Sequence, residues 1–175
     1  MKSISKIIAE LLAHVEPDSH TREGLQDTPA RVEKAMGHWF CGYKKDPSEI
    51  LKTFTDGVPN NQVVCVRNIP FWSHCEHHMA PFFGYVTIAY KPNGRIVGLS
   101  KLVRLVECFA KRLQVQERIT DQIGNAILEH LNAKDVLVYV VARHSCMESR
   151  GVCSHGQETV TKFATGEIDE ARYIK

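Results

Sequence analysis

The sequence predicts an α+β fold carrying an antiparallel sheet, and three observations lead there. Apolar residues recur at helical spacing near the N-terminus, then switch from Val63 to runs rich in β-branched and aromatic residues. The later elements fall in the order β-β-α-α-β-β, strands in runs around a helix pair, which is the pattern of segregated layers. The chain has 175 residues, 43% hydrophobic and 24% charged, which suits one globular domain with a small N-terminal appendage.

The elements follow in order. Ile4, Ile7, Ile8, Leu11, Leu12 and Val15 form a helical stripe that Pro17 ends. "DTPARVEKAMGHWFCGY" predicts a second helix, with Thr28 as N-cap, Pro29 at the first helical position, an end about Phe40 and Gly42 near its stop. "DPSEIL" adds one short helical turn. "VVCVRNIPFW" and "PFFGYVTIAYKP" read as strands, with "SHCEHHMA" as their connection and Pro92–Gly94 as a turn. From Ser100 a helix carries the stripe Leu102, Leu105, Val106, Phe109 and Leu113, with Lys101 and Arg104 off it. Val115, Ile119, Ile123, Ile127 and Leu131 mark the next helix, and Glu117 falls off that ladder near the helix start. "DVLVYVVARHSC" reads as a buried strand and "QETVTKFATG" as a weaker final one. There is no internal repeat, low-complexity tract or long linker.

Composition excludes several classes. A net charge of +2 gives no basis for non-specific nucleic-acid or membrane binding. The amphipathic start lacks a signal-peptide core, and no stretch reaches the roughly 18 apolar residues of a membrane span. The chain therefore reads as cytoplasmic. Its six cysteines then favour metal binding or catalysis over disulfides where they sit beside histidines.

The densest chemistry is "SHCEHHMAPF", Ser73 to Phe82. Cys75 and His78 have C-x-x-H spacing, which lets both reach one ion. The distant partner is "HSC": on an extended strand His144 and Cys146 point to the same face. Two thiolates and one imidazole make a Cys2His set, and three protein ligands plus water is the pattern of a catalytic zinc site. His77 and His144 are then left for acid–base work. Spacing alone leaves an alternative open, a four-ligand structural zinc knot with His144 as the fourth ligand. Cys65 and Cys108 read as core thiols, Cys153 as a bystander, and His74 as a surface or packing residue.

The segments "TPARVEKAM", "CEHHMAPFFGYVTIAYKP", "VGLSKLVRLVECFAKRLQVQERITDQI" and "HSCMESRGV", in this order, resemble the GTP cyclohydrolase I family. They cover most of the chain from Thr28 to about Phe163. Departures are Thr87, where many members have histidine, the short N-terminal arm and the tail after Gly166. The resemblance implies a T-fold, with an N-terminal helical region at residues 1–56 and a catalytic domain at 57–175. It implies zinc on Cys75, His78 and Cys146, with His77, His144 and Ser100 as catalytic residues. It implies a guanine site at Gln116 and Glu117, and contacts to ribose and triphosphate from Ser100, Lys101, Arg104 and Arg150. Arg31 and Lys34 match basic residues that approach the phosphates from a neighbouring subunit. The implied reaction takes GTP and water to 7,8-dihydroneopterin triphosphate and formate. The implied assembly is a homodecamer of two pentamers whose sheets pool into a barrel, with sites at subunit interfaces.

The residue types suit that chemistry. Guanine presents N1–H and an exocyclic amine side by side, and one carboxylate accepts both. Lys101 and Arg104 near a helix start make an anion cradle. Read without the resemblance, Glu117 is a solvated carboxylate helped by the helix dipole, and Lys101, Arg104, Arg31 and Lys34 are surface charges. Two rival functions differ in class: a non-catalytic zinc module, which would hold its metal with four protein ligands, and another T-fold enzyme, several relatives of which lack this Cys/His set.

Overall fold

The computed structural model describes residues 2–55 and 62–174. The chain forms two compact units, Met1–Phe40 and Cys41–Lys175. In the first, α1 (Ile4–Val15) and α3 (Thr28–Trp39) pack on one another, joined by a 3-10 turn at Pro17–Thr21 and α2 (Glu23–Gln26). Ser3 caps α1 by accepting from the Lys6 amide. Thr28 is already helical: Asp27 is the capping residue, one place earlier than the sequence predicted, and Pro29 sits in the first turn, where a missing N–H costs nothing. Much of the apolar face of α1 stays open, with Ile7, Leu11 and Val15 exposed.

The second unit begins with a 3-10 turn at Cys41–Lys44, followed by α4 (Pro47–Ile50) and β1 (Thr53–Phe54). Then come β2 (Val64–Cys75), β3 (Pro81–Lys91), β4 (Ile96–Val97), α5 (Leu99–Ala110) and β5 (Leu113–Gln114). The chain continues through α6 (Gln116–Leu131), β6 (Asp135–His144), α7 (Ser145–Glu148), β7 (Thr159–Thr165) and α8 (Glu170–Tyr173). The main sheet has the order β5-β2-β3-β6-β7, and β1 pairs separately with β4. Its four long strands are antiparallel, as the sequence predicted. The exception is the short β5, which lies parallel to the end of β2 with His74 opposite Leu113 and Cys75 opposite Gln114.

Helices α5 and α6 cover one sheet face. Leu102, Leu105, Ile119, Ile123 and Ile127 are fully buried against Val86, Ile88, Tyr90, Val136, Val138 and Val140. Each fully buried aliphatic chain contributes about 1.5–3 kcal/mol, so this seam is what fixes the helix starts relative to the strand ends. Gly124 lets α6 approach β7: a Cβ there would lie 2.2 Å from the Phe163 ring. On the other sheet face Trp72, Tyr85 and Val160 are exposed, and Trp72 stacks on Phe83 with centroids 4.4 Å apart.

Three boundaries differ from the sequence reading, and the first is α5: it ends at Ala110, so Leu113, expected on its apolar stripe, lies in β5. Strand β2 continues through Ser73, His74 and Cys75, which were assigned to a connection. Polar residues there looked like loop, but Ser73 is fully buried and His74 nearly so, paired between β3 and β5. At the other end, β6 stops at His144 and Cys146 lies in the helical turn α7, so the two do not share a strand face.

Candidate metal centre and active site

The site is assembled at the ends of β2 and β6 and the start of α6. After Cys75 the chain turns sharply: the amides of His78 and Met79 both donate to the Cys75 carbonyl, and the Cys75 amide donates to Ala80 O. Met79 adopts φ 53°, the left-handed conformation that brings the chain back into β3. The Glu76 amide donates to Gln114 O at 3.0 Å, tying the turn to β5. Cys75 is thus buried at a strand end, while Glu76, His77 and His78 stand exposed on the turn.

Across β3, Ser145 Oγ donates to the Pro81 carbonyl and holds α7 beside this turn. The result is a three-residue group, Cys75, His78 and Cys146, whose ligand atoms all lie within 4.8 Å of one another. Two soft thiols and an imidazole in that compass fit a borderline-soft divalent cation. Burial and the neighbouring Cys75 thiol push Cys146 up from the ordinary cysteine pKa. A dication would reverse that balance by stabilising both thiolates.

Cys75 alone does not separate the adjacent histidines, because its Sγ is 3.7 Å from His77 Nδ1 and 3.8 Å from His78 Nδ1. Cys146 does: the group that closes around it contains His78 and not His77. The two rings stand 67° apart, divergence that comes from the turn rather than from the extended backbone the sequence suggested. Arg150 Nη1 donates to His78 Nε2 at 2.8 Å, which brings this arginine to the metal loop.

His144 is held on two sides. Its ring lies flat on the fully buried Phe82, centroids 4.6 Å apart and planes 6° apart, and Nε2 is 2.8 Å from Gln116 Oε1. Burial lowers its pKa below the ordinary histidine value, and the nearby Glu117 carboxylate pulls it back up. Glu117 sits exposed in the first turn of α6, with no hydrogen bond or ion pair among the described residues. Gln116, its neighbour, is buried and its amide is taken up by protein groups. Ser100, Lys101 and Arg104 lie in the first two turns of α5, Ser100 and Arg104 exposed; it is the last turn of that helix, not the first, that leads into β5 beside Cys75, so the fold of one chain does not bring these three to the Cys–His–Cys group. Arg31 and Lys34 are exposed on α3, where Arg31 pairs with Asp27.

Two side chains not singled out from the sequence complete the frame. Arg118 grips Glu76 through both carboxylate oxygens, at 2.5 and 3.1 Å, and holds the Glu76 carboxyl below the usual range. This clasp joins the metal turn to the start of α6. Both residues lay inside quoted motifs, but 42 positions separate them, so no local spacing pointed to the pair.

A largely antiparallel sheet backed by two helices, with two thiols and an imidazole that could hold a metal gathered where β2 and β6 end, defines a T-fold scaffold. A solved structure of the archaeosine synthase QueF-Like in the apo form shares the fold at TM-score 0.50 and 17% identity, over 63% of this chain and 98% of that one. A GTP cyclohydrolase I family profile matches residues 4–175. GTP cyclohydrolase 1 of Janthinobacterium sp. (strain Marseille) is 57% identical over 90% of this chain and 80% of that protein. The Nitrosospira multiformis protein of the same name is 57% identical over 85% and 78%. The chain belongs to the GTP cyclohydrolase I family and is an enzyme of that family.

Proposed function

We propose that the chain binds zinc through Cys75, His78 and Cys146 and converts GTP and water to 7,8-dihydroneopterin triphosphate and formate, the entry into pterin and tetrahydrofolate synthesis. The observation that carries this reading is the closed Cys–His–Cys group, with His77 against Cys75 and His144 two residues before Cys146. A group of three protein ligands favours a catalytic over a structural site. His144, the candidate fourth ligand of a structural knot, stands outside that group with Nε2 engaged by Gln116.

Zinc held there would supply Lewis acidity toward the attacking water. The chain's own residues do the rest. Glu117 accepts N1–H and the exocyclic amine of guanine, a pairing adenine cannot offer. His77, beside the metal group, delivers a proton to N7 as the imidazole ring opens. His144 and Ser100 serve the later proton transfers of ribose opening and ring closure. Lys101, Arg104 and Arg150 bind the triphosphate, with Arg31 and Lys34 supplied by a neighbouring subunit.

The assembly proposed is a decamer of two pentamers with pooled sheets. The exposed Trp72, Tyr85 and Val160, and a cleft of about 330 Å³ beside Trp72, Phe83 and Tyr85, form the kind of apolar face that a second copy covers. Cys75, His78 and Cys146 do not line that cleft. The free cysteines fit a reducing cytoplasm, and no helix among the described residues is long and apolar enough to cross a membrane. The test is direct: purified protein with GTP should release formate and, after oxidation, neopterin fluorescence, and chelation should abolish both. Formate without neopterin would leave ring opening but refute the rearrangement; neither product would refute the function. Light scattering showing an active monomer would overturn the assembly.

A further inference from the structure

We propose that Gln116 is a positioning residue that fixes His144 as its Nε2–H tautomer, so that proton transfer at His144 runs through Nδ1. This rests on the reading of His144 as an acid–base group. The resemblance put Gln116 in the guanine site; in the structure its side chain bonds groups of β6, β7 and His144.

The argument follows the hydrogen-bond directions. Gln116 is 1% exposed, and its amide nitrogen lies 3.2 Å from Val140 O, 2.9 Å from Thr159 O and 3.2 Å from Thr161 Oγ1. Two of these partners are backbone carbonyls, which only accept. Turning the amide over would set its oxygen against both, so the nitrogen must face them. The hydroxyls agree. Thr120 Oγ1 donates to Gln116 O at 2.9 Å, which uses its single proton. The 2.6 Å contact between Thr120 and Thr161 must then be donated by Thr161. Thr161 Oγ1 is left to accept, sharing one of the two Gln116 N–H groups with a carbonyl, and the circuit closes with one consistent direction.

The amide oxygen therefore points at His144 Nε2, 2.8 Å away, and an oxygen there can only accept. Nε2 must carry the proton. In the neutral ring Nδ1 is then the basic nitrogen, and it makes no hydrogen bond among the described residues. The stack on Phe82 fixes the ring plane, so the amide and the stack together settle both the orientation and the tautomer. Because the anchors of Gln116 lie on β6, β7 and α6, the tautomer is set by how those elements pack.

Two measurements test this. Nitrogen-15 NMR of histidine-labelled wild-type protein, with His144 assigned by its loss in His144→Gln, should show a protonated Nε2 and an unprotonated Nδ1 when the ring is neutral. The reverse tautomer overturns the proposal and leaves the acid–base reading standing. In kinetics with GTP, Gln116→Ala should lower kcat by on the order of ten- to a hundred-fold, part of what general acid–base catalysis supplies, with KM within about threefold. In a His144→Ala background the same change should cost under about twofold, because a residue acting only through His144 has nothing left to position. A raised KM with kcat kept, or equal cost in both backgrounds, overturns the proposal. Full turnover by His144→Ala defeats the acid–base reading and this proposal with it, an outcome distinct from a reversed tautomer.

Discussion

Glu117→Gln isolates guanine recognition from folding. Glu117 is exposed on the first turn of α6 and makes no hydrogen bond or ion pair among the described residues. Its removal costs the fold only a favourable dipole contact, about 0.3–1 kcal/mol, or a few degrees in Tm for a chain of this size. The cost to catalysis is larger. A carboxylate accepting from N1–H and the exocyclic amine makes two charge-assisted bonds of about 1.5–3 kcal/mol each. Glutamine keeps one neutral bond and turns its NH2 against a guanine donor. A net loss of about 3 kcal/mol corresponds to roughly 150-fold in kcat/KM. Formate release measured over a range of GTP, beside a thermal melt, should show that drop with Tm nearly unchanged. Inosine triphosphate, which lacks the amine, should be a poorer substrate for wild type, and the variant should discriminate less between the two. A kcat/KM within about fivefold of wild type at unchanged Tm would remove Glu117 from the guanine edge, because it is less than even one charge-assisted bond is worth.

Two further outcomes test the frame around the site. Gly124→Val should lower Tm, because its side chain meets the Phe163 ring and overpacking costs about 1–3 kcal/mol; an unchanged melt would mean α6 and β7 can part freely. The Glu107 carboxyl is pushed up by burial, but Lys111 and Lys45 outweigh this and hold it below its ordinary value. A lowered folded-state pKa stabilises above the unfolded value and is lost as pH falls through the folded one. The Tm gap between wild type and Glu107→Gln should therefore be present at neutral pH and close in acid; a gap independent of pH would assign Glu107 a purely steric part.

Much of this was legible because periodicity and ligand spacing are local. The apolar ladders of α5 up to Phe109 and of α6 from Ile119, and the apolar runs of β3 and β6, appear where the sequence put them, while Leu113 of the expected α5 stripe lies in β5. The Cys75–His78 spacing survives, since a tight turn brings positions i and i+3 together. What failed was also physical. Ser73 and His74 are polar yet belong to β2, because neighbours on both sides bury them. Cys146 reaches the metal group from a helical turn rather than an extended strand. The closed circuit of Gln116, Thr120 and Thr161 spans 41 to 45 positions between α6 and β7, and the Glu76–Arg118 clasp depends likewise on β5 lying beside β2. Such contacts exist only after the sheet has formed, so no window of the sequence contains them.

The central claim is that one turn divides two adjacent histidines between metal and substrate, and metal content measured beside turnover in His77→Ala and His78→Ala tests it most directly. His78→Ala removes one of three ligands gathered within 4.8 Å and should lose both zinc and activity. His77→Ala should keep zinc near the wild-type level and still lose most turnover, on the order of 10²-fold or more for a lost proton donor. Zinc lost from His77→Ala, or zinc and full activity both kept, would contradict the account.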